Sequence, residues 1–460
     1  MNTDPIMFWN DVAQEVHRLD FSFIPDIGPQ QGGPTRVSRA LAIVHIAMYD
    51  AWNGATGTGN SYVNNHGGAL PPLPPGAAVE MAVAGAAAGA LRALYSNQAP
   101  YIEERVQAFM IQLPLPVPTT QALSDGMEYG REVGLKLLAL RNNDGSELLD
   151  GVYIAGNAPG DHRTVPNDPF QGYLGQRWGD VKPFCISFIP TAGDPRGLSP
   201  YIDPPPAFTS AKYKEHFEEV RDHGGAERNE RSVEEELTGI YWAYDGAKRL
   251  GTPPRLYNQI VRKIVESMPA MPTTGELARL FAIVHAGMAD AGIVAWRAKY
   301  HYNFWRPAIG VRENDAGTGP TGLGTGSTAT GDLFWWPHGA PLSNQAGPGR
   351  KNFTPNFPAY PSGHATFGTT VFELVRKIFP ATDKASFKFT FVSDELDGKT
   401  VDVDGSVRSR VTREYTLNKA IKDNLESRVW LGVHWRFDGD GGQQAGEQVA
   451  TQVFTSACFP

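Results

Sequence analysis

The spacing of apolar residues along most of this chain is that of amphipathic helices. In the first half, residues 35–54, 77–96 and 118–142 place apolar side chains at helical intervals. In the second half, helices are predicted at about 232–248, 254–268 and 274–302, after Pro361, and at about 414–430 and 440–456. Strand patterns are confined to FKFTFV at 387–392 and TVDVDG at 400–405, which predict at most a short β-hairpin. The predicted fold class is therefore mainly α.

One helical segment occurs twice. The segments RALAIVHIAMYDA at 39–51 and RLFAIVHAGMADA at 279–291 share the pattern R-x-x-A-I-V-H-x-x-M-x-D-A. Two Ala-rich helices with similar packing needs would explain the match, but it favours an internal duplication into two four-helix bundles with long loops. His45 and His285 lie mid-helix among apolar residues, so they are predicted to be hydrogen-bonded core histidines.

The duplication suggests how the chain divides into domains. We predict an N-terminal helical bundle with a long loop region over residues 1–208. A C-terminal bundle, which would carry the functional site, is predicted over residues 209–460. The two are expected to pack as one compact unit, because 460 residues exceed one simple core.

Composition excludes some classes of function. Hydrophobic residues make up 41% and charged residues 20%, which are ordinary values for a globular protein. The net charge of −8 argues against a nucleic-acid binder, which needs a basic surface to meet phosphates. The two cysteines, Cys185 and Cys458, are too few for a disulfide framework or a thiolate metal site.

No segment is predicted to cross a membrane. No run of 18 apolar residues occurs, and the N-terminus lacks the basic region and apolar core of a secretory signal. A cytoplasmic location is therefore favoured, and non-classical secretion is left open. The oligomeric state is open too, with a homo-oligomer among the options.

Cationic and hydrogen-bonding residues concentrate in three segments, which are KYHYNFWRP at 299–307, PSGH at 361–364 and SRVWLGVHWRFD at 427–438. Lys299 and Arg306 are two helical turns apart, so both can face one way. Arg428, the Ser362 hydroxyl and the Gly363 amide at a helix start would complete a shell of donors. Such a shell suits a tetrahedral oxyanion. Carboxylates are few in these segments, which argues against a divalent-cation site.

The three segments resemble the signature shared by the soluble vanadium-dependent haloperoxidases and the type 2 phosphatidic acid phosphatases. That signature, K-x6-R-P, P-S-G-H and S-R-x3-G-x-H-x3-D, is matched at every position between residues 299 and 438. Further segments resemble vanadium chloroperoxidases, namely YWAYDGAKRLGTPPRLYNQIVRKI at 241–264, FWRPAIGVR at 304–312 and NFPAYPSGHATFG at 356–368. The resemblance implies a haloperoxidase that uses hydrogen peroxide to oxidise halide to hypohalous acid, which halogenates a small organic acceptor. Bromide is the expected halide, with chloride and iodide as further candidates.

The resemblance also implies a role for each matched residue. His434 would bind vanadium as the only protein ligand, and His364 would be the acid–base residue. Lys299 would polarise the bound peroxide. The vanadate oxygens would be bound by Lys299, Arg306, Ser362, Gly363 (through its N–H) and Arg428. Because vanadium(V) keeps its oxidation state, neither haem nor flavin is expected.

Two carboxylates are expected to support this site. Asp245, in the segment WAYDG, resembles the acid that pairs with the second arginine, Arg428. Asp438 follows His434 by four residues, one helical turn if that segment is helical, and could orient the imidazole. The alternative for Asp438 is a helix cap at the Gly439 turn.

Two aromatic residues are expected to form a wall of the halide pocket. Phe357, five residues before Ser362, matches chloroperoxidases, whereas bromoperoxidases typically carry a histidine there. Trp296, three residues before Lys299, also resembles the chloroperoxidase pocket. Both could instead be ordinary core residues.

A soluble acid phosphatase of the same superfamily is the nearest alternative. Phosphate and vanadate are nearly isosteric, and His434 would then be the nucleophile that accepts the phosphoryl group. A non-enzymatic oxyanion binder is a weaker alternative, because His364 would be placed for proton transfer. A helical scaffold with a dead site is weaker still, since no signature position is missing.

Overall fold

The fold is built from helices joined by long loops. A computed structural model describes residues 4–22, 28–58, 61–113, 116–227 and 229–459. The helices of the first half are α1 (Pro5–Asp20), α2 (Gly33–Thr56), α3 (Tyr62–Asn65), α4 (Val79–Leu94), α5 (Ala99–Ile111) and α6 (Thr120–Leu140). Those of the second half are α7 (Ala211–His223), α8 (Val233–Tyr241), α9 (Pro253–Glu266), α10 (Thr274–Tyr302), α11 (Pro307–Gly310), α12 (Gly363–Ile378), α13 (Leu417–Trp430) and α14 (Arg436–Thr455). The prediction of a mainly α fold is confirmed.

The helices pack as two sets around a continuous apolar core. In the first set α2, α4 and α6 pack on one another, with α1 and α5 against α4. In the second set α10, α12, α13 and α14 pack on one another, with α8 and α7 against α13. Helices α2 and α10 pack along each other and join the two sets.

The two copies of the repeated sequence meet at this junction. The rings of His45 on α2 and His285 on α10 stack with centroids 3.9 Å apart, and both side chains are fully buried. His45 Nδ1 lies 2.7 Å from Leu41 O and its Nε2 lies 2.9 Å from Asn10 Nδ2. Neither ring nitrogen of His285 has a partner among the described residues, so the predicted hydrogen bonding is confirmed for His45 and wrong for His285. Burial lowers the pKa of both imidazoles, that of His45 to about 4, so the stacked pair is neutral.

The repeated aspartates also have equivalent contacts. Asp50 on α2 accepts the backbone N–H groups of Tyr62 and Val63. Asp290, at the same position of the repeat on α10, accepts those of Phe184, Cys185 and Ile186. Asp50 therefore fixes the start of α3, and Asp290 a loop, each onto its own helix, and this equivalence supports the interpretation of the repeat as a duplication.

The hairpin is present, but its second strand was wrongly placed. Strand β1 (Phe389–Val392) pairs antiparallel with β2 (Thr412–Tyr415), with Phe389 opposite Tyr415. The predicted partner at 400–405 forms only an isolated bridge between Val401 and Val407. The segment TREY of β2 lacks the alternation of apolar and polar residues that would predict a strand, because only its last residue is buried.

One largely charged helix has no clear apolar periodicity and was not predicted from the sequence. Helix α7 (AKYKEHFEEVRDH) buries Tyr213, Phe217 and Val220 on one face and is otherwise largely charged. The helix predicted at about 440–456 begins earlier in the structure, because the segment DGDGG at 438–442 lies inside α14, which starts at Arg436. There Gly441 and Gly442 allow close packing, since a Cβ would lie 2.6 Å from Tyr360 Oη and 2.7 Å from Ser362 O respectively.

Helix α10 is the central helix of the second set. Within the described residues it is the one helix long and apolar enough, by composition, to cross a membrane. Its most apolar stretch is 94% buried inside the protein, which is the pattern of a core helix. It begins with a capping box formed by Thr273 and Glu276 and carries Lys299 in its last turn.

Candidate active site

Three separate segments of the chain meet at one end of the second helix set. Lys299 ends α10, Arg306 lies just before α11, and Gly363 begins α12. Arg428 lies near the end of α13, and His434 lies in the turn between α13 and α14. The four longer side chains are at most 2% exposed. The fold therefore brings together residues that are up to 135 positions apart in the sequence.

Hydrogen bonds fix the tautomer of His434. Its Nδ1 lies 2.8 Å from Asp438 Oδ2, which also accepts the backbone N–H of Trp435. Its Nε2 lies 3.0 Å from Arg306 Nη1, which can only donate. Nδ1 therefore carries the proton, and Nε2 presents a lone pair to the site. Burial, together with the charges of Arg306 and Lys299, lowers the pKa of His434 well below its usual range, so the ring is neutral.

Asp438 combines the two functions that the sequence left as alternatives. It lies in the first turn of α14 and accepts the backbone N–H of Trp435 at 3.0 Å, which caps the helix. The same oxygen orients the His434 ring. Burial raises the pKa of Asp438, and the positive charges of Lys299 and Arg306 oppose that rise.

Buried guanidinium donors without partners lie beside His434. Arg428 donates from Nη2 to Asp245 Oδ1 at 2.7 Å, whereas its Nε and Nη1 have no partner among the described residues. Arg306 donates to Phe357 O and Val433 O, and its Nη2 is unpartnered within the same residues. An unpaired buried donor costs about 1–3 kcal/mol. Three such atoms fit a ligand with several negative oxygens, such as vanadate or phosphate.

The ammonium group of Lys299 is held by backbone carbonyls. Its Nζ donates to Pro358 O at 2.8 Å, to Ala359 O at 2.9 Å and to Pro361 O at 2.5 Å. These bonds use its three N–H groups, so a contact with a ligand requires one of them to be exchanged. Burial and the Arg306 charge lower the pKa of Lys299 well below its usual range, and a bound anion would oppose that shift.

The start of α12 points backbone donors into the same region. Ser362 is the N-cap of α12 and accepts from Ala365 N, so its own hydroxyl proton remains available to donate. Gly363 is the first residue of the helix, where backbone N–H groups have no helical acceptor. The positive end of the α12 dipole adds to the attraction for an anion.

His364 faces the site from the first turn of α12. Its Nε2 lies 2.6 Å from Ala243 O and therefore donates the proton, which leaves Nδ1 as the acceptor nitrogen. Burial and the Arg428 charge lower the pKa of His364 well below its usual range, so this ring is also neutral. His364 and His434 line the same cavity, so a proton acceptor lies beside the anion shell.

A cavity of about 240 Å³ opens onto these residues. Its polar lining includes His364, Arg428 and His434, together with Asp245, Thr252 and Asn356. Trp296 and Phe357, with ring centroids 4.8 Å apart, form part of its apolar wall. Lys299 Nζ lies 5.1 Å from the centre of the Phe357 ring, which favours the charged form of the lysine.

Comparison with known proteins identifies the family. The sequence-family model of the vanadium chloroperoxidase N-terminal domain matches residues 1–171. The family model of the second helical-bundle domain of vanadium chloroperoxidase matches residues 279–458. The vanadium chloroperoxidase of Curvularia inaequalis is 31% identical over 510 aligned positions, which cover 95% of this chain and 79% of the relative. The chain belongs to the vanadium-dependent haloperoxidase family. It is accordingly an oxidoreductase of the peroxidase type.

Solved structures share the haloperoxidase fold. A bacterial vanadium-dependent iodoperoxidase superposes with a TM-score of 0.73 and 19% identity, covering 98% of this chain and 96% of that chain. A bacterial vanadium-dependent chloroperoxidase in its apo form gives a TM-score of 0.61 and 16% identity, covering 92% of this chain and 94% of the other. The helical fold of the haloperoxidase is thus shown over nearly its whole length.

The first half of the haloperoxidase also contributes to the cavity. Phe21, Pro34 and Leu174 line it, although the site was predicted to lie wholly in the second half. His162 was missed as well; it is 2% exposed, and neither ring nitrogen has a partner within the described residues. The charges of Arg306 and Lys299 contribute to lowering its pKa, which places it near the anion shell. No motif surrounds these residues, so only their position in the fold indicates them.

Proposed function

We propose that this enzyme holds vanadate on His434 Nε2 and oxidises bromide with hydrogen peroxide to hypobromous acid, which halogenates organic acceptors. Chloride and iodide are further candidate halides. The observation that carries the proposal is the pairing of an unprotonated Nε2 with unpartnered donors of Arg306 and Arg428 in one buried site. A neutral imidazole is a common metal ligand, and the arginines match the negative oxygens around the metal.

The residues fit vanadate in number and in kind. His434 would supply the single protein ligand, with its ring held by Asp438. Oxygens of the anion would accept from the remaining donors, which are Arg306 Nη2, Arg428 Nε and Nη1, the Ser362 hydroxyl and the Gly363 N–H. When bound, the vanadium(V) centre supplies a Lewis acid that activates peroxide toward attack by halide.

Two side chains would assist the reaction, His364 by transferring a proton and Lys299 by stabilising negative charge. His364 Nδ1 would accept a proton from the incoming peroxide and return it to the departing oxygen, while Ala243 O holds the ring in place. Lys299 would exchange one of its three carbonyl bonds for an oxygen of the anion in the site and draw negative charge from it.

The wall of the cavity bears on the choice of halide. Trp296 and Phe357 exclude water from one side of the cavity, which lowers the competition between water and a weakly basic halide. We propose that this wall admits chloride in addition to bromide. Initial rates with iodide, bromide and chloride for the wild type and for Phe357→His would test it, and equal chloride-to-bromide ratios in both would contradict it.

The central experiment measures metal and activity together. The purified chain is incubated with vanadate, desalted, and assayed for vanadium content and for peroxide- and bromide-dependent bromination of a phenolic dye. His434→Ala should lose both the retained vanadium and the bromination, because the ligand to the metal is gone. His301→Ala, at an exposed position near the end of α10, is the matched control and should keep both. Retention of vanadium by His434→Ala would overturn the assignment.

A phosphatase activity is the second candidate that the geometry supports. The same unprotonated Nε2 could attack a phosphoryl group bound by the arginines. Hydrolysis of an aryl phosphate without any vanadate-dependent bromination would favour it, and bromination with negligible hydrolysis would exclude it as the main activity.

A further inference from the structure

The two cysteines of the chain lie outside the three segments that form the anion site. Cys185 lies in the loop between α6 and α7, and Cys458 lies after α14. The Cys458 thiol donates to Phe184 O at 3.7 Å, in the residue next to Cys185. Each thiol also shifts the pKa of the other, so the two side chains lie close together. Two thiols in contact can be joined by one covalent bond if the backbone positions allow it.

The backbone on both sides of this contact is fixed. Asp290 accepts the N–H groups of residues 184–186, and Tyr62 Oη donates to Phe184 O at 2.9 Å. On the other side, Arg279 Nε donates to Phe459 O at 3.2 Å, and the Phe459 ring packs on Tyr62. The two sulfur atoms are therefore held near each other by contacts that do not involve the thiols.

The two thiols have different surroundings and therefore different pKa values. His66 Nε2 lies 3.9 Å from Cys458 Sγ, and its Nδ1 lies 2.8 Å from Tyr62 O. The hydrogen bond from Cys185, assisted by His66, lowers the pKa of the Cys458 thiol to about 5. Burial raises the pKa of Cys185 well above its usual range. Cys458, which donates to Phe184 O when protonated, is therefore the thiol that loses its proton first and becomes the reactive thiolate.

We propose that Cys458 and Cys185 form a peroxide-reactive thiol pair that closes to an intramolecular disulfide. The Cys458 thiolate attacks one peroxide oxygen, which breaks the O–O bond and gives a Cys458 sulfenic acid. The departing hydroxide takes a proton from the His66 imidazolium and leaves as water. The Cys185 sulfur then displaces the sulfenic hydroxyl, which leaves with the Cys185 proton as a second water. The peroxide is reduced by two electrons and the thiol pair is oxidised by two.

Access and position suit this chemistry. Cys185 and His66 are half-buried, so a small oxidant can reach the pair from their side, whereas Cys458 is 7% exposed. The disulfide would join the segment after α14 to the loop that Asp290 fixes on α10. It would close a long loop of chain, so the oxidised protein should resist unfolding better than the reduced one.

The test uses the full chain, reduced, desalted and free of vanadate and halide. Addition of stoichiometric hydrogen peroxide should remove both thiols, as counted in denaturant, and yield one Cys185–Cys458 linked peptide in a monomeric protein. The melting temperature should rise on oxidation and return on reduction. Because neither vanadate nor halide is present, the outcome is independent of the haloperoxidase activity.

Three variants separate the steps. Cys185→Ser should stop at a sulfenic acid on Cys458, trapped by dimedone, and Cys458→Ser should leave Cys185 reduced. His66→Gln should slow the oxidation by roughly tenfold, because the thiolate loses a partner. If a serine variant fails to fold, the proposal is still tested by the linked Cys185–Cys458 peptide of the wild type and by the oxidation rate of His66→Gln. Persistence of both thiols in native protein, linked dimers, or equal reactivity of the two cysteines would overturn the proposal.

Discussion

At the scale of single residues, one hydrogen bond decides what His434 can do. Asp438 Oδ2 accepts from Nδ1, so the lone pair of the ring lies on Nε2, beside Arg306. A protonated or inverted ring would present a donor there and repel a metal. The tautomer of His434, and with it the ability of Nε2 to bind a metal, is therefore set by a carboxylate that does not itself face the anion.

The supporting role of Asp438 can be measured by substitution. Asp438→Asn should weaken vanadate binding by roughly 10–100-fold, since the amide no longer holds the Nδ1 proton as a carboxylate does. Vanadate titration of bromination measures the effect, and thermal unfolding reports on the α14 cap. Asp440→Asn, a surface substitution two residues along the same helix, is the control and should bind as the wild type does. Unchanged affinity in Asp438→Asn would contradict the role.

The two site histidines should respond differently to the same substitution. His364→Ala removes a proton acceptor but no proposed metal ligand, so the protein should retain vanadate while turnover falls by roughly 10²–10⁴-fold. Vanadium content after desalting and the bromination rate separate these effects. Loss of vanadium from His364→Ala to the same extent as from His434→Ala would show that the roles are wrongly assigned.

At the scale of the elements, small residues determine how closely the helices approach. Along α4 and α6, Gly85 and Gly130 allow backbone to lie against backbone, because a Cβ at Gly85 would overlap Met127 O. In the second set Gly442 and Gly446 bring α14 onto α12 in the same manner. That contact holds the start of α12, and hence Ser362, against α14, where Ser362 N donates to Asp438 O at 2.8 Å.

A pair of substitutions one turn apart tests this packing. Gly85→Ala should destabilise the protein by roughly 1–3 kcal/mol, because the added methyl group meets the α6 backbone. Gly89→Ala, where the nearest atom would be 3.5 Å away, should be neutral or stabilise by up to about 1 kcal/mol through helix propensity. Urea unfolding measures both. Equal destabilisation by the two variants would show that close approach is not the cause.

At the scale of the whole molecule, two related helices form the axis. The repeat stacks the ring of His45 against that of His285. Asp50 and Asp290, at equivalent positions of the repeat, each accept backbone N–H groups from a segment packed on their helix. The cavity takes residues from both halves, since Phe21 and Leu174 line it with His364 and His434. The division of the chain near residue 208 remains a prediction.

The buried aspartate at the centre should make stability depend on pH. Burial raises the pKa of Asp290 to about 7, above its unfolded value. Its contribution is therefore complete below about pH 4 and is lost as the pH rises from about 4 to 7, by about 1.4 kcal/mol per pH unit. The difference in unfolding free energy between the wild type and Asp290→Asn should fall with that slope in urea titrations. Parallel curves of unfolding free energy against pH for the wild type and Asp290→Asn would contradict the prediction.

Local sequence was sufficient for much of the framework. The helices around Thr274–Tyr302 and Gly363–Ile378 were predicted because their apolar periodicity is strong and their N-terminal caps are clear. Helix α7 and the first turn of α14, before the predicted start at about residue 440, were not, because the former is mostly charged and the latter runs into the segment DGDGG, whose residues are usual in turns. Gly441 and Gly442 are required in this helix because Tyr360 and Ser362 pack too closely to leave room for a Cβ. Those contacts come from distant parts of the chain, so no local sequence pattern indicates them.

By itself, the sequence determined the helical class, the repeat and the set of donors at 299–306, 361–364 and 427–434, because these depend on residue types at fixed spacings. Only the tertiary structure decided which nitrogen of His434 is free, that Lys299 rests on three carbonyls, and that Phe21 and Leu174 reach the cavity. The pairing of Cys185 with Cys458 was also invisible in the sequence. Such contacts join distant parts of the chain, and their geometry follows from the packing of helices rather than from neighbours in the sequence.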